Sequence, residues 1–225
     1  MPNMCAPWAL AWAMVTLVKM TLPPKTRKPW KMLLPSMVLP LPIRVRLPPV
    51  LTVATTSTPP ATSADPLPDA VVQLSPDGPW RRVDGAPGVD TPGLFYELMP
   101  QLYVYLPLEE DLDHGITWTL GADDVPIIEA YLQALLVYYR AATVDPIDLD
   151  DPGWDRWYSD GGTALRESLQ VRRDRGEHVE LKDSVVLRPN VAGDERTSST
   201  ALVTDCILDG AVFLRPDGTL ARGDR

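Results

Sequence analysis

The chain has 225 residues, 45% of them hydrophobic, a formal net charge of −9, two cysteines and two histidines. An acidic balance excludes the basic footprint that nucleic-acid phosphates require. Cys5 and Cys206 lie in unlike regions and offer neither a disulfide framework nor a zinc spacing, and a histidine-rich metal site cannot be built from His114 and His178 alone.

The charge is unevenly placed. Residues 1–64 hold seven Lys or Arg and no Asp, Glu or Gly, so the other 14 Lys and Arg face all 30 acids in residues 65–225, a balance of −16. Residues 5–18 (CAPWALAWAMVTLV) form an apolar run that is short of the ~20 residues a spanning helix needs. Its length suits the core of an export signal or a membrane tether, yet the positive charges follow it instead of preceding it. Prolines then recur too often for a helix or central strand to persist, and residues 52–64 (TVATTSTPPATSA) read as a flexible linker. Residues 1–64 are therefore expected to be a disordered, Pro-rich segment with no packed core. They are either an export segment or sequence upstream of the true start, and an exported or membrane-associated protein is the expectation for localisation.

Residues 65–122 read as an extended arm rich in Pro and Gly, with turns at Pro76-Asp77-Gly78 and Val83-Asp84-Gly85. Within it Leu102, Val104 and Leu106 alternate with Tyr103 and Tyr105, the pattern of a strand with one packed face. Pro100 and Pro107 point to an edge position for that strand. The carboxylates Glu109, Glu110, Asp111 and Asp113 beside His114 read as a solvated charge run rather than a cation site.

A long helix follows, capped by Asp123 or Asp124 with Pro126 in its first turn. Ile128, Tyr131, Leu132, Leu135 and Tyr139 repeat at helical spacing, as do Ile127, Ala134, Tyr138 and Ala141. A helix apolar around most of its girth is buried on more than one side. Residues 145–155 (DPIDLDDPGWD) break it; Asp148, Asp150 and Gly153 fit an EF-hand loop, but Pro152 and Ser159 occupy two ligand positions, which argues against calcium. Asp160 or Thr163 opens a second helix to about Arg175, with Gly176 placed to end it and a thin stripe of Leu165, Leu169 and Val171. Strands are expected over 178–187, 199–208 and 211–214, with a turn at 215–218 returning a short strand at 219–221. Residues 123–225 thus read as an α+β domain with helices packed on a curved antiparallel sheet.

Three stretches are similar in order and phrasing to the nuclear transport factor 2-like superfamily, over residues 123–221: IIEAYLQALLVYYRA, LRESLQVRRDRGEHVELKDSVVLRP and TALVTDCILDGAVFLRPDGT. The likeness is to uncharacterised exported bacterial members. It implies a cone-like domain enclosing a pocket, and further strands after Leu220 that this sequence lacks. Pocket candidates on that basis are Tyr131, Leu135, Tyr138, Asp205 and Cys206. Strand alternation turns either Asp205 or Cys206 inward, and Cys206 is expected inward because Leu202, Thr204, Cys206 and Leu208 share its face. No catalytic set, metal or cofactor is assigned. The resemblance implies a non-catalytic domain binding a small apolar ligand or a protein partner, or self-associating through an open sheet edge. The alternative is an isomerase- or cyclase-like enzyme using an acid in the cone.

Overall fold

The structure, a computed structural model, describes residues 18–19, 71–112, 116–193, 196–197 and 200–221. The expectations for the rest of residues 1–64 and for His114 lie outside the described residues. Nine elements follow in chain order: β1 (Val18–Lys19), β2 (Arg81–Val83), β3 (Gly93–Met99), β4 (Leu102–Pro107), α1 (Val125–Ala142), α2 (Gly153–Trp157), α3 (Thr163–Asp174), β5 (His178–Ala192) and β6 (Leu202–Leu214). They make an α+β fold with one sheet in the order β1-β6-β5-β4-β3-β2.

Four corrections to the sequence reading follow. The sheet is mixed: β4 and β5 run parallel, with α1, α2 and α3 in the connection between them. A parallel pair needs such a crossover, and the helical insertion supplies it. Residues 65–122 are not an arm, because β2, β3 and β4 are three adjacent strands of the central sheet. Strand β4 is interior, with β3 on one side and β5 on the other. Pro107 is tolerated because it stands at the last position of that strand, paired with Gly93. The N-terminal segment is also not wholly outside the sheet, since Val18 and Lys19 pair with Val203 and Leu202 of β6.

The main core lies between the helices and one face of the sheet. It joins Leu94, Tyr96 and Leu98 of β3, Leu102, Val104 and Leu106 of β4, Val185, Leu187 and Val191 of β5, and Val203 of β6 to α1. Helix α1 starts at the Asp124 N-cap with proline in its first turn and ends where the Thr143 hydroxyl donates to the Tyr139 carbonyl at 2.8 Å. Burial around most of its girth matches the sequence reading. The acidic segment after it alternates buried Ile147 and Leu149 with exposed Asp148 and Asp150, so its apolar residues pin it to the core while its carboxylates stay in water. Helix α3 buries Leu169, leaves Val171 exposed and ends at Gly176, whose φ of 69° is the left-handed conformation that favours glycine.

The other sheet face carries a smaller cluster of Ala86, Phe95, Tyr105, Ile116 and Val186, with Tyr103 and Leu208 packed against it. Both faces are therefore partly covered.

Strands β5 and β6 pair along most of their length, with a register shift between Leu181 and Val185. At that bulge Ser184 holds φ 72°, Gln101 opposite holds φ 69°, and the Ser184 hydroxyl donates to the Gln101 side chain. The expected break of β6 at Asp209 and Gly210 is absent: it is one strand of 13 residues. Gly210 permits this, because a Cβ there would lie 2.3 Å from the Ser184 carbonyl oxygen and 2.8 Å from the Asp183 carbonyl carbon. Backbone cannot give way as a side-chain tip can. Gly210→Ala should therefore destabilise the protein by about 1–3 kcal/mol in urea melts. Gly85→Ala, where nothing lies within 4 Å of the added Cβ, should stay within about 0.5 kcal/mol of wild type.

Candidate functional site

Among the described residues the most buried carboxylate is Asp205, which is 1% exposed on β6 and faces α1. Alternation along β6 puts Val203 and Asp205 on the core side, at 0% and 1% exposure, in line with Ala201 just before the strand at 2%. Cys206 therefore points to the other face, where it is half-buried, and it is not a free thiol. This reverses the expectation that Cys206 is inward. The apolar Leu208 misled it because it faces the second cluster, not open solvent. Counting apolar residues cannot rank two faces that are both covered.

Both carboxylate oxygens of Asp205 are engaged. The Tyr131 hydroxyl donates to Oδ2 at 2.7 Å, and the Arg188 backbone N–H donates to Oδ1 at 2.7 Å. Asp205 faces Pro189 across the β5–β6 ladder, and proline has no N–H to offer; the neighbouring Arg188 supplies the strand donor. Burial pushes the Asp205 carboxyl up to about 7, against the lowering effects of the Tyr131 hydroxyl, the Arg188 N–H and the Arg188 charge. Burial likewise raises the Tyr131 hydroxyl well above its ordinary value, and the Asp205 charge adds to this. Burial also lowers the Arg188 guanidinium, opposed by Tyr105 and Asp205.

Of the five pocket candidates, the structure brings Tyr131 and Asp205 into contact. Leu135, 5% exposed, belongs to the main core. Tyr138 is half-buried, meets Tyr139 edge-on with ring centroids 5.3 Å apart, and is pushed up to about 12 by burial and then by the Asp209 charge. Cys206 is on the wrong face to join them. Three participants went unread in the sequence. Tyr139 and Tyr158 add their charge influence on Tyr131, and Arg188 offers its backbone donor. Tyr158 is fixed by donating to the Ala134 carbonyl at 2.7 Å. A tyrosine 27 positions beyond Tyr131 gives no local signal, and a backbone donor gives none at all.

Three carboxylates between α1 and α3 close on their own backbone. Asp148 Oδ1 accepts from the Asp150 N–H at 2.9 Å, Asp151 Oδ1 from the Gly153 N–H at 2.6 Å, and Asp160 Oδ1 from the Gly162 N–H at 3.0 Å. Among the described residues no group of three His, Cys, Asp or Glu is placed to hold a metal ion. Among those residues, too, no helix is long and apolar enough to cross a membrane.

The second candidate feature is the outer edge of β6. Its start is paired with β1, and its end is bridged by the return of the chain, where Leu214 meets Leu220 and the Ala221 N–H donates to the Phe213 carbonyl at 2.8 Å. Between these, residues 207–212 have no outer strand partner among the described residues. Strand β4 does not seal this edge, because it lies on the far side of β5. No family model, no curated protein and no solved structure matches the chain.

Proposed function

We propose that this chain is a non-catalytic, partner-binding domain of the nuclear transport factor 2-like type, exported from the cell, that engages another protein or a second copy of itself along β6. The observation that carries the reading is the outer edge of β6 at residues 207–212, which has no strand partner among the described residues. Such an edge presents backbone N–H and C=O groups as a template for a further strand. Proteins that avoid pairing guard their edges with Lys, Pro, a bulge or an inward charge; β6 contains no Lys, Arg or Pro over its 13 residues, and its inward Asp205 is tied to Tyr131 and to the Arg188 N–H. The Tyr131–Asp205 contact, sealed by surrounding core side chains, fits a partner at the edge better than a small apolar ligand between those two residues.

Sedimentation of the full chain over a wide concentration range tests this. Association that grows with concentration, together with slowed amide exchange at residues 207–212 in the associated form, is the expected result. A sharp monomer throughout, with those amides already slow, would remove the reading.

The competing reading is an isomerase- or cyclase-like enzyme. It draws on Asp205, an acid titrating near neutrality with a hydroxyl beside it, which is the pairing an acid–base site needs. Access counts against it, since Asp205 and Tyr131 are 1% and 0% exposed. Carbodiimide coupling of a small amine to the native protein, read by mass spectrometry, separates the two. Labelling confined to surface carboxylates is expected; rapid labelling of Asp205 would favour the enzyme.

A further inference from the structure

We propose that a disulfide between Cys5 and Cys206 clasps the chain's own apolar residues 6–17 over the first part of the β6 edge, residues 202–206, and that a dithiol releases them. Two fixed points carry this. Cys206 is disulfide-bonded, and Cys5 is the only other cysteine of the chain. Strand β1 pairs with the start of β6, Val18 opposite Val203 and Lys19 opposite Leu202. The bond and the pairing thus fasten one segment to one short stretch of the same strand.

The pairing is antiparallel, so the chain running back from Val18 heads along β6 toward Cys206. A straight continuation would set Val15 opposite Cys206 and carry Cys5 ten positions beyond it. A bond from Cys5 to Cys206 forbids that course. It turns the segment back, so that both of its ends fall within 202–206 and the stretch 207–212 stays open. Twelve residues reach ~40 Å when extended, whereas residues 203 and 206 lie ~10 Å apart along a strand. The segment therefore has length to spare for folding over the strand between its two anchors.

Its chemistry suits that seat. Residues 6–17 (APWALAWAMVTL) hold no charge, and all but Pro7 and Thr16 are hydrophobic. Alternation sets Leu202, Thr204, Cys206 and Leu208 on the second sheet face, all half-buried, and Leu208 continues into the cluster of Phe95, Tyr105 and Val186. Covering that face removes apolar surface from water on both sides of the contact. The seven Lys and Arg of residues 1–64 add a screened attraction to the −16 of residues 65–225.

The bond also decides how firmly β1 sits. Two paired residues do not hold a strand by themselves. Without the bond, β1 is tethered through the 52 positions from Lys19 to Val71, the next described residue; with it, through the 13 from Cys5 to Val18. The shorter tether raises the local concentration of β1 at β6 by about eightfold, since that concentration falls as the −3/2 power of tether length. Release is a thiol–disulfide exchange. The dithiol gives up two electrons and two protons as it closes to a cyclic disulfide, and the S–S bond takes them up to leave thiols at Cys5 and Cys206. Reduction then lengthens the open edge from 207–212 to 202–212 and strengthens association; this last step alone rests on the partner reading.

Peptide mapping of the full chain, alkylated and digested without reductant, tests the bond. The tryptic peptide ending at Lys19 should appear joined to the peptide that holds Cys206, and the undigested chain should keep the monomer mass. Two free thiols, or a disulfide-linked dimer, would overturn the clasp. Amide exchange in wild type and Cys5→Ser then reads what the bond does. The amides of 202–206 that face β1 should exchange about eightfold faster in the variant, with β3 unchanged. Equal exchange in the two proteins, or a loss of protection shared by β3, would overturn the clasp. Should Cys5→Ser fail to fold, wild type with and without dithiothreitol gives the same comparison. Sedimentation of the oxidised and reduced forms separates the two readings. A monomer in both, with the joined peptide and the local exchange change found, removes the partner reading and leaves the clasp standing.

Discussion

Trp154→Ala is expected to destabilise the protein by about 3–5 kcal/mol, the largest loss among single truncations proposed for this domain. Trp154 is 1% exposed and belongs to the main core. Its ring tilts against Tyr158 with centroids 5.1 Å apart, and Gly162 packs so closely that a Cβ there would meet the indole at 2.5 Å. The hole left by truncation has little chance to collapse, because Tyr158 is itself tied to the Ala134 carbonyl of α1. Loss of the ring also frees the acidic segment, which is held to the core by Ile147, Leu149 and Trp154. Trp157, three residues on, is the internal control. It is half-buried, with the Arg156 guanidinium 5.0 Å from its ring centroid, and Trp157→Ala should lose only about 1 kcal/mol. Denaturant midpoints for the two variants check both values, and equal losses would show that the acidic segment is not anchored as described.

The helices were largely legible in the sequence and the sheet was not, for physical reasons that particular residues make plain. The start of α1 follows from Asp124 and Pro126, and its buried girth from a local period that no distant contact overrides. Gly176 ends α3 because a left-handed residue is needed there, a purely local demand. The start of α3 was less clear: Gly162 stands at the N-cap where Asp160 or Thr163 was expected, because Asp160 instead accepts the Gly162 N–H.

Strand partners depend on residues far away in the chain. The alternation at Leu102, Val104 and Leu106 correctly marked a packed strand, yet nothing local says that β5 lies beside it in parallel. Prolines at the two ends then argued for an edge, although proline is harmless at a strand terminus. The same limit governed the site. Tyr131 and Asp205 were both named, but their contact spans 74 positions, and the choice between Asp205 and Cys206 turned on which sheet face is the deeper one. A buried aspartate also runs against the general expectation for charged residues, and the Tyr131 and Arg188 donors that make it tolerable are visible only once the chain is folded.

Leu135→Ala is expected to destabilise by about 2–5 kcal/mol, and it tests the central helix as the Trp154 variant tests the segment behind it. Leu135 is 5% exposed at the middle of α1, with Ala134 at 0% and Leu136 at 1% beside it. Burial on three successive positions means that no turn of the helix there can swing to fill a cavity, so the full truncation loss should be felt. Leu112, 73% exposed, provides the contrast: Leu112→Ala should stay within about 0.5 kcal/mol of wild type. The readout that matters is where the loss appears. Helix α1 carries Tyr131 one turn before Leu135, so a loosened helix weakens the hydrogen bond to Asp205 and with it the hold on β6. Amide protection at residues 203–207 should therefore fall along with that of α1 in Leu135→Ala. A loss below about 1 kcal/mol in denaturant melts, or a loss of protection confined to the helix, would show that α1 and the edge strand do not fold as one unit.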